Sequence, residues 1–430
     1  MNLIVYSGGV RAGTLDMAPN EPFYGFTYDR AYLESQDAAP LSASLPLQAG
    51  RFDGARAMPY FEGLLPEGDV RASVARQLGV SEHSPAKLLR ALGKDCAGDV
   101  AVLEEDDPYQ PPADGAYAPL EGGLARIARN PYGEISRLRA GNRLSLAGGQ
   151  EKISLYHDDR LDVDSGWYVP VQGSPSTHIV KPQVLDAYPC IAYNEFLCMK
   201  AAKALGLNVA NVELAIHERP LLVIERYDRE KAGRKNELGL ELYRRLRQED
   251  FCQALGFDSS RKYEADGGPG VADMNRLLLS RSVQFIADRE MLARLVLFNY
   301  LIGNCDAHAK NYSAMLGRTG AVMLAPAYDL LSTTVYAAGF GADLSRGMGM
   351  KIGGHSNIDR VTPDDFGAMA SSLGIRPEHL AGMGRELAEK APGALAEAAD
   401  SLAGRQTADI SQLVSRLLEG IERRSRVLAG

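Results

Sequence analysis

The sequence lacks the closely spaced cysteines from which zinc sites are built. Its 430 residues contain five cysteines, and no two of them are spaced as CxxC. Zinc sites of cysteine and histidine need such clusters. We therefore expect isolated thiols, buried or half-buried, in a reducing compartment. They are Cys96, Cys190, Cys198, Cys252 and Cys305.

Long apolar runs are also missing. No stretch approaches the roughly 18 apolar residues that a membrane-spanning helix needs. The amino terminus, MNLIVYSGGVRAG, has no basic segment followed by an apolar run, so it does not match a signal peptide. We expect a cytoplasmic protein without a membrane partner.

The chain has no excess of positive charge. Its 47 Lys and Arg against 55 Asp and Glu give a formal net charge of −8. A general nucleic-acid-binding surface needs a basic excess, so this balance argues against one, although a local basic patch is compatible with it. The length suffices for two or three packed units.

Patterns along the chain predict a β-rich part followed by a helical part. Residues 69–78 predict a helix that Asp69 caps and Gly79 ends, and 106–123 predict a linker rich in Pro, Asp and Gly. Four apolar runs predict strands, at 152–156, 177–181, 212–217 and 221–225. Four further segments predict a helix at 193–205, a buried helix at 291–302 and strands at 312–316 and 321–324. The carboxyl-terminal helices should be broken at Pro377 and Pro392.

The loop after the buried helix carries the strongest chemical pattern. Asp306 and Asn311 are five positions apart, and Asp329 follows the predicted strand pair. Protein kinases space a catalytic base, a metal-binding Asn and a metal-binding Asp in this order. Each Asp alone would be read as a turn residue. The ordered set favours a phosphoryl-transfer site.

Three weaker patterns fit a nucleotide site. Residues 145–152, SLAGGQEK, contain two glycines before a strand, which suits a phosphate-binding loop but equally a plain turn, and no Walker A motif is present. Lys181 ends a strand and could pair with Glu195, although an exposed lysine and a surface glutamate are the alternatives. Residues 222–229 suit a hinge against an adenine or an ordinary charged strand end.

Together these segments resemble the HipA family of toxins. The matching stretches are FEGLLPEGDVR (61–71), SLAGGQEK (145–152), STHIVKP (176–182), NEF (194–196), IERYDR (224–229), QEDFCQALG (248–256), NCDAHAKNYS (304–313) and AYDLLS (327–332). Their order agrees with the family, and they span most of the chain.

The resemblance implies an α+β, protein-kinase-like two-lobed fold, with a small β-rich N-terminal lobe and a larger, mainly helical C-terminal lobe. It implies an N-terminal subdomain at 1–103, the N-lobe with its phosphate loop at 124–227, and the helical C-lobe with the catalytic loop at 228–430.

The resemblance also implies a serine/threonine protein kinase that uses ATP and Mg²⁺. Asp306 would be the catalytic base, and Asn311 and Asp329 the metal ligands. Ser145 falls where family members carry a serine that is autophosphorylated and thereby inactivates the enzyme. The implied ATP-binding residues are Ala147, Gly148, Gly149, Gln150, Glu151, Lys152, Lys181, Glu225, Arg226, Tyr227, His308, Lys310, Asn311, Tyr328 and Asp329.

Two departures from the family stand out. Gly149 replaces a common Ala and should loosen the loop, and 230–247 is variable and bears on substrate access.

Partners follow from the same resemblance. They are a HipB-like helix-turn-helix antitoxin, operator DNA reached mainly through that antitoxin, and a protein substrate, expected to be an aminoacyl-tRNA synthetase. Modifying such a substrate would block translation and arrest growth, the state called persistence. The alternatives are a catalytically weak ATP-binding co-repressor that acts with a DNA-binding antitoxin, or a small-molecule kinase.

Overall fold

The computed structural model describes residues 2–16, 24–94, 96–107, 115–142, 147–171, 173–184, 187–337, 339–402, 404–405 and 407–429. The chain divides into two compact units. The first consists of Met1–Pro182, Ala215–Ser260 and Ala314–Val322. The second consists of Gln183–Leu214, Arg261–Ser313 and Met323–Gly430. The predicted division at 1–103, 124–227 and 228–430 stays a prediction.

The described residues form helices and strands in the following order. Up to residue 142 they are β1 (Leu3–Ser7), β2 (Val10–Asp16), β3 (Gly25–Tyr28), α1 (Arg30–Leu33), α2 (Gly54–Glu62), α3 (Gly68–Leu78), α4 (Pro85–Leu92), β4 (Val100–Glu104), β5 (Ala116–Pro119), α5 (Gly123–Arg129) and α6 (Pro131–Asn142). Up to residue 255 they are β6 (Ile153–His157), β7 (Trp167–Val171), β8 (His178–Pro182), α7 (Ile191–Ala204), β9 (Val212–Ile216), β10 (Pro220–Glu225), β11 (Arg229–Lys235), β12 (Glu241–Arg245), β13 (Gln248–Asp250) and α8 (Phe251–Leu255). The remainder are α9 (Val271–Arg281), α10 (Phe285–Ile302), β14 (Ser313–Leu316), β15 (Val322–Leu324), β16 (Gly347–Ile352), β17 (His355–Asn357), α11 (Pro363–Leu373), α12 (Pro377–Asp400) and α13 (Ala408–Ala429).

The strands form two larger sheets and three small ones. The first large sheet is antiparallel, with strand order β3-β2-β1-β4. The second has six strands in the order β5-β7-β6-β8-β10-β9. The small sheets are β11-β12, β13-β14-β15 and β16-β17.

Aromatic packing dominates the core beside the first sheet. Phe26 is fully buried, and its ring centroid lies 5.6 Å from that of Phe61 and 6.4 Å from that of Phe52. Burial of rings of this size supplies much of the driving force for folding. The next helix, α3, begins after Glu67 as its N-cap, so the prediction that Asp69 caps it was wrong; Gly79 ends it in the left-handed region at φ 65°, as predicted.

The six-stranded sheet confirms the four strands that the apolar runs predict. Its core contains Ile153, Leu155, Val180 and Val223, against which Leu124 of α5 packs. The prediction that 106–123 is a linker was wrong in part, because Ala116–Pro119 pairs with β7 as an edge strand. Proline is tolerated at such an edge, where its missing N–H leaves no ladder bond unmade.

The second unit contains the long helices. The last 11 residues of α10 include ten buried ones, which confirms the predicted buried helix. Pro377 starts α12 as predicted, whereas Pro392 lies inside α12 and does not break it. A proline leaves the carbonyl four residues earlier without its helical donor. The hydroxyl of Ser425 on α13 donates to that carbonyl, the one of Ala388, at 3.4 Å.

Two composition-based expectations can be compared with this architecture. All five cysteines are buried with free thiols, which confirms the predicted isolated thiols. Across the residues described above, no helix combines the length and apolarity that crossing a bilayer requires.

Candidate active site

The loop that follows α10 is fastened at both ends to the last turns of that helix. Gly303 ends α10 with φ 75°, a conformation that favours glycine. The side-chain amide of Asn304 donates to the Oδ1 of Asn299 at 2.8 Å, and the amide of Asn299 donates to the hydroxyl of Tyr312 at 3.0 Å. These bonds fix the start and the end of the loop on a rigid helix.

Asp306 presents its carboxylate from this loop to solvent. Its backbone N–H donates to the Oδ1 of Asn304 at 3.1 Å, and its carbonyl accepts from the side chain of Asn311 at 2.9 Å. The hydroxyl of Tyr263 donates to its Oδ1 at 2.6 Å, and the Tyr263 ring packs edge-on against His308 with centroids 5.0 Å apart. The carboxylate of Asp306 is therefore accessible to solvent, and the hydroxyl of Tyr263 holds its orientation.

Asp329 has an unusual backbone. Its φ is 55°, in the left-handed region that residues with a side chain rarely occupy. Asn304 donates to the Asp329 carbonyl at 3.2 Å, so one side chain holds both the Asp306 N–H and the Asp329 backbone. Strained backbone of this kind is concentrated at functional sites.

The remaining predicted residues of the second unit surround this loop. His308 and Lys310 are buried. The hydroxyl of Tyr328 donates to the carbonyl of Lys310 at 2.8 Å and lies 2.7 Å from the hydroxyl of Ser313. The structure thus brings together six predicted residues, and the bonds through Asn304 and Tyr328 join their segments. The six are Asp306, His308, Lys310, Asn311, Tyr328 and Asp329.

The donor atoms suit a hard divalent cation. Asn311 uses its amide N–H₂ for the Asp306 carbonyl, which leaves its amide oxygen for a ligand. Asp329 contributes a carboxylate, and Mg²⁺ is bound by oxygen ligands of this type together with substrate phosphates. Asn311 and Asp329 are therefore the residues that could hold Mg²⁺.

The candidate phosphate loop belongs to the first unit. Gly148 has φ 102°, and a Cβ there would lie 2.7 Å from the Nζ of Lys152. The N–H of Glu67 donates to the Gly148 carbonyl at 3.1 Å, and Pro66 forms a parallel bridge with Gly148. A Cβ at Gly149 would meet no atom within 4 Å, so the alanine common in the family would fit. Ser145 lies outside the described residues.

The end of this loop is held by an ion pair and a hydrogen bond from the same arginine. Arg139, itself buried, donates to the Oε2 of Glu151 and to the carbonyl of Lys152, each at 3.2 Å. The loop is thereby attached to α6 on one side and to Pro66 and Glu67 on the other. The backbone N–H groups of 147–150 and the Lys152 side chain remain the candidates for phosphate contact.

Lys181 and Glu195 are both buried, with exposed fractions of 4% and 1%. This excludes the alternatives of an exposed strand-end lysine and a surface glutamate. Lys181 lies on β8 of the first unit, opposite Leu222 of β10, and Glu195 lies on α7 of the second unit.

The predicted hinge segment contains a buried charge cluster. Arg226 donates to both carboxylate oxygens of Asp228 at 2.9 and 2.7 Å, and Arg229 lies 2.9 Å from the same carboxylate. Burial opposes ionisation of Asp228, but the two guanidiniums outweigh it and hold its pKa below the usual range. Since the Arg226 side chain is occupied in this way, a nucleotide contact there would involve its backbone. Glu225 is exposed, and Tyr227 donates to Gln248 at 2.9 Å.

The motif at 248–256 makes buried contacts with the amino-terminal residues. The carboxylate of Glu249 accepts from the hydroxyl of Ser42 at 2.5 Å and from the N–H of Ala43 at 2.8 Å. Gln253 donates to the carbonyl of Tyr60 at 2.8 Å. The motif attaches the amino-terminal hundred residues to the rest of the first unit.

Two residues that contact the candidate site lie outside the sequence-based list. Asn304 is part of the matched motif NCDAHAKNYS, and its position beside Asp306 was a usable signal. Tyr263 lies 43 residues before Asp306, and no spacing rule connects them. Only the folded chain brings its hydroxyl to the candidate base.

Known families and proteins match most of this chain in sequence. The family model of the HipA N-terminal domain matches residues 3–103, and that of the HipA-like C-terminal domain matches 144–395. The protein Y4mE of Sinorhizobium fredii is 39% identical over 82% of this chain and 81% of its own length. The serine/threonine-protein kinase toxin HipA of Shewanella oneidensis is 30% identical over 92% of this chain and 89% of its own length.

A solved structure agrees with the sequence relatives. The chain superposes on a protein from the complex of Shewanella oneidensis HipA, HipB and operator DNA with a TM-score of 0.80 and 26% identity. The match covers 99% of this chain and 96% of the other. It confirms the predicted α+β, protein-kinase-like fold class. On both the family models and these relatives, the chain belongs to the HipA family.

Proposed function

We propose that this chain is a serine/threonine protein kinase toxin that transfers the γ-phosphate of ATP to a protein. The observation that carries the proposal is the set of Asp306, Asn311 and Asp329, held in register by Asn304, in a chain of the HipA family. Phosphoryl transfer depends mainly on positioning and electrostatics, and this set supplies both.

Each residue has a role that follows from its place. The Oδ1 of Asp306 accepts from Tyr263, so Oδ2 is the oxygen that would orient the acceptor hydroxyl and take its proton. Asn311 and Asp329 would hold Mg²⁺, which when bound neutralises charge on the phosphates. The conformation of the loop would be stabilised by the contacts of His308, Lys310 and Tyr328.

The first unit would supply nucleotide contacts of a different kind. The backbone of 147–152 would cradle phosphates, and Lys181 would pair with their charge. Glu225 to Tyr227 would contact the adenine. We also propose autophosphorylation at Ser145, because a phosphate on this loop adds about two negative charges where ATP phosphates would bind, and so inhibits.

The proposed partners rest on the relatives. The Shewanella oneidensis structure contains HipB and operator DNA beside HipA. We propose a HipB-like antitoxin for this chain, contact with operator DNA mainly through that antitoxin, and an aminoacyl-tRNA synthetase as substrate. The net charge of −8 supports an indirect contact with DNA.

The test is incubation of the purified chain with Mg²⁺ and labelled ATP beside Asp306→Asn, followed by peptide mass mapping. We expect phosphate on Ser145 in the wild type only, and transfer in the variant reduced by at least about 100-fold, as for loss of a general base. ATP binding, measured by calorimetry, should be retained because Asp306 is not assigned to the nucleotide.

Other outcomes would redirect the proposal. Transfer by Asp306→Asn near the wild-type rate would remove Asp306 from the role of base. ATP binding without transfer in either protein, with prior phosphorylation excluded, would favour the co-repressor. Transfer to small hydroxyl compounds but not to proteins would favour the small-molecule kinase.

A further inference from the structure

A pocket on the second unit contains three arginines. It has a volume of about 350 Å³ and lies between α13 and the segment that follows Asp329. Thr334 and Val335 form one wall, and Arg416, Glu419 and Arg423 come from α13. Arg346 closes a third side. We call this the arginine pocket.

The three guanidiniums differ in how they are held. Arg416 donates to the carbonyls of Val335 and Ala337 at 3.1 and 2.8 Å and lies over the ring of Phe340. Arg346 and Arg423 approach the half-exposed Asp359 at 4.0 and 3.6 Å, which is too far for a strong hydrogen bond. Arg346 also donates to the Thr334 carbonyl at 3.4 Å, a long hydrogen bond made by one of its five N–H groups. Arg416 thus shapes the pocket, and the other two have donor capacity for a ligand.

Positive charge exceeds negative charge at this place. Three arginines face two carboxylates, those of Glu419 and Asp359, in a chain whose net charge is −8. Guanidinium groups match the oxygens of a phosphate with paired N–H donors. The volume lies at the lower end of the range of small-molecule pockets, roughly 300 to 1,000 Å³, which suits a phosphate on a small organic group.

The pocket wall is bonded to the candidate catalytic loop. The N–H groups of Thr333 and Thr334 donate to the Gly303 carbonyl at 3.0 and 3.1 Å, and the N–H of Cys305 donates to the Thr333 hydroxyl at 2.9 Å. A Cβ on Gly303 would lie 2.0 Å from the Thr334 hydroxyl oxygen, so the approach is too close for any other residue.

A buried arginine also links the pocket wall to the end of α10. Arg424, next to Arg423 on α13, donates to the carbonyl of Leu301 at 2.8 Å and to the hydroxyl of Thr334 at 3.4 Å. A ligand that orders Arg423 and Thr334 therefore acts on the residues at the end of α10 and the start of the loop. Charge-driven ordering of a segment beside a kinase active site is an established physical device.

We propose that the arginine pocket binds a phosphate monoester, either a small organic phosphate or a phosphorylated side chain. Its occupancy stabilises residues 329–337 and the loop that begins at Gly303. Binding is independent of the proposed function, whereas any effect on phosphate transfer rests on it.

The test is isothermal titration of the full chain with O-phosphoserine, glycerol 3-phosphate and a short phosphoserine peptide, with serine and the unphosphorylated peptide as blanks. The variant is Arg346→Gln with Arg423→Gln, which leaves Arg416 and its backbone bonds in place. Arg426→Gln, an exposed position on the same helix, is the matched control. We expect a Kd raised about tenfold or more in the double variant and unchanged in the control.

The three phosphate probes distinguish a small organic phosphate from a phosphorylated side chain as the ligand. Similar affinity for all three phosphates indicates a small organic phosphate, and much tighter binding of the peptide indicates a phosphorylated protein segment. Hydrogen exchange of residues 299–312 and 329–337 should slow with the phosphate probe, and not with its blank, if the wall is coupled to the loop. No saturable binding in millimolar titrations overturns the proposal, as does duplex DNA binding that the double variant loses while no phosphate probe binds.

Repeating the titration on Asp306→Asn separates this proposal from the proposed function. Binding by Asp306→Asn, in which transfer is removed by design, would support the pocket alone. Binding by a wild-type chain that transfers no phosphate would support the pocket and count against the kinase. Phosphate transfer by a wild-type chain that binds no phosphate probe would support the kinase and count against the pocket. The circular dichroism spectrum of the double variant must match that of the wild type. A loss of binding can then be attributed to the missing guanidinium groups and not to unfolding.

Discussion

At the scale of single residues, the side chain of Asn304 organises the candidate active site. It accepts from the Asp306 N–H, donates to Asn299 and donates to the Asp329 carbonyl. An amide is suited to this because it carries both donors and an acceptor. The two carboxylates of the site are thereby positioned by a residue that itself carries no charge.

Tyr263 is the residue whose removal tests this positioning. Its hydroxyl donates to the Asp306 Oδ1 at 2.6 Å. We expect Tyr263→Phe to lower kcat for phosphate transfer by about tenfold, because a hydrogen bond to a charged group contributes about 1.5–3 kcal/mol and the carboxylate loses its orientation. The KM for ATP should stay unchanged.

The control for this prediction is Tyr188→Phe, another tyrosine of the second unit, whose ring packs against Tyr336. It should leave kcat unchanged. A Tyr263→Phe enzyme with a lower KM for the acceptor and undiminished kcat would show instead that the hydroxyl competes with the substrate for Asp306.

At the scale of elements, the local sequence pattern predicts most of the helices and strands. It fails where contacts between residues far apart in the sequence determine the structure. Apolar runs predicted β6, β8, β9 and β10 within one or two residues. Pro392 remains inside α12 because Ser425, 33 positions later, supplies a donor to the carbonyl that the proline leaves. Such a compensation has no local signal.

The same division holds for the candidate site. Asp306, Asn311 and Asp329 could be found because kinase chemistry fixes their order and spacing in the sequence. Tyr263 and the arginine pocket could not, because their partners lie on separate elements that only packing brings together. Sequence therefore predicts which residues of this candidate site come together better than it predicts the residues that support them.

The carboxyl end of α2 predicts a pH dependence of stability. Burial, then the hydrogen bond and charge of Asp258, raise the pKa of Glu62 to about 7, and Arg71 opposes this only in part. A raised pKa means that the folded state favours the protonated acid. The contribution of protonated Glu62 to the free energy of unfolding is fully present below the unfolded-state pKa of about 4.3. It is lost as the pH rises through about 7, the pKa in the folded state.

We therefore expect thermal stability to fall between about pH 5 and pH 8, by an amount on the order of 1–2 kcal/mol from this group. Glu62→Gln keeps the hydrogen-bonding shape without the titration and should remove this part of the slope. Melting temperatures of both proteins across the range check it. A variant with the same slope as the wild type would assign the dependence to other groups.

At the scale of the whole molecule, one matched family motif joins separate parts of the first unit. The segment 248–256 binds the amino-terminal residues through Glu249 and Gln253, and the amino-terminal residues in turn hold Gly148 through the N–H of Glu67. All of these contacts lie within the first unit. The resemblance identified the motif, and the contacts supply its physical reason.

Glu249 is the residue through which this attachment can be tested. It is fully buried, and its two oxygens accept from the Ser42 hydroxyl and the Ala43 N–H. Glu249→Gln offers one acceptor oxygen in place of two, so one buried donor meets an N–H₂ group. We expect a loss of stability of about 2–4 kcal/mol, since hydrogen bonds to buried charged groups are costly to leave unmade.

Hydrogen exchange locates the effect of Glu249→Gln within the chain. Exchange should rise at 42–45 and at 248–253, and it should rise at Glu67 if the amino-terminal residues move as one piece. Glu237→Gln, at an exposed position between β11 and β12, is the control. Faster exchange at 42–45 with unchanged exchange at Glu67 would mean that the Gly148 contact survives without the motif, and that the phosphate loop keeps both of its attachments, to Glu67 and to Arg139.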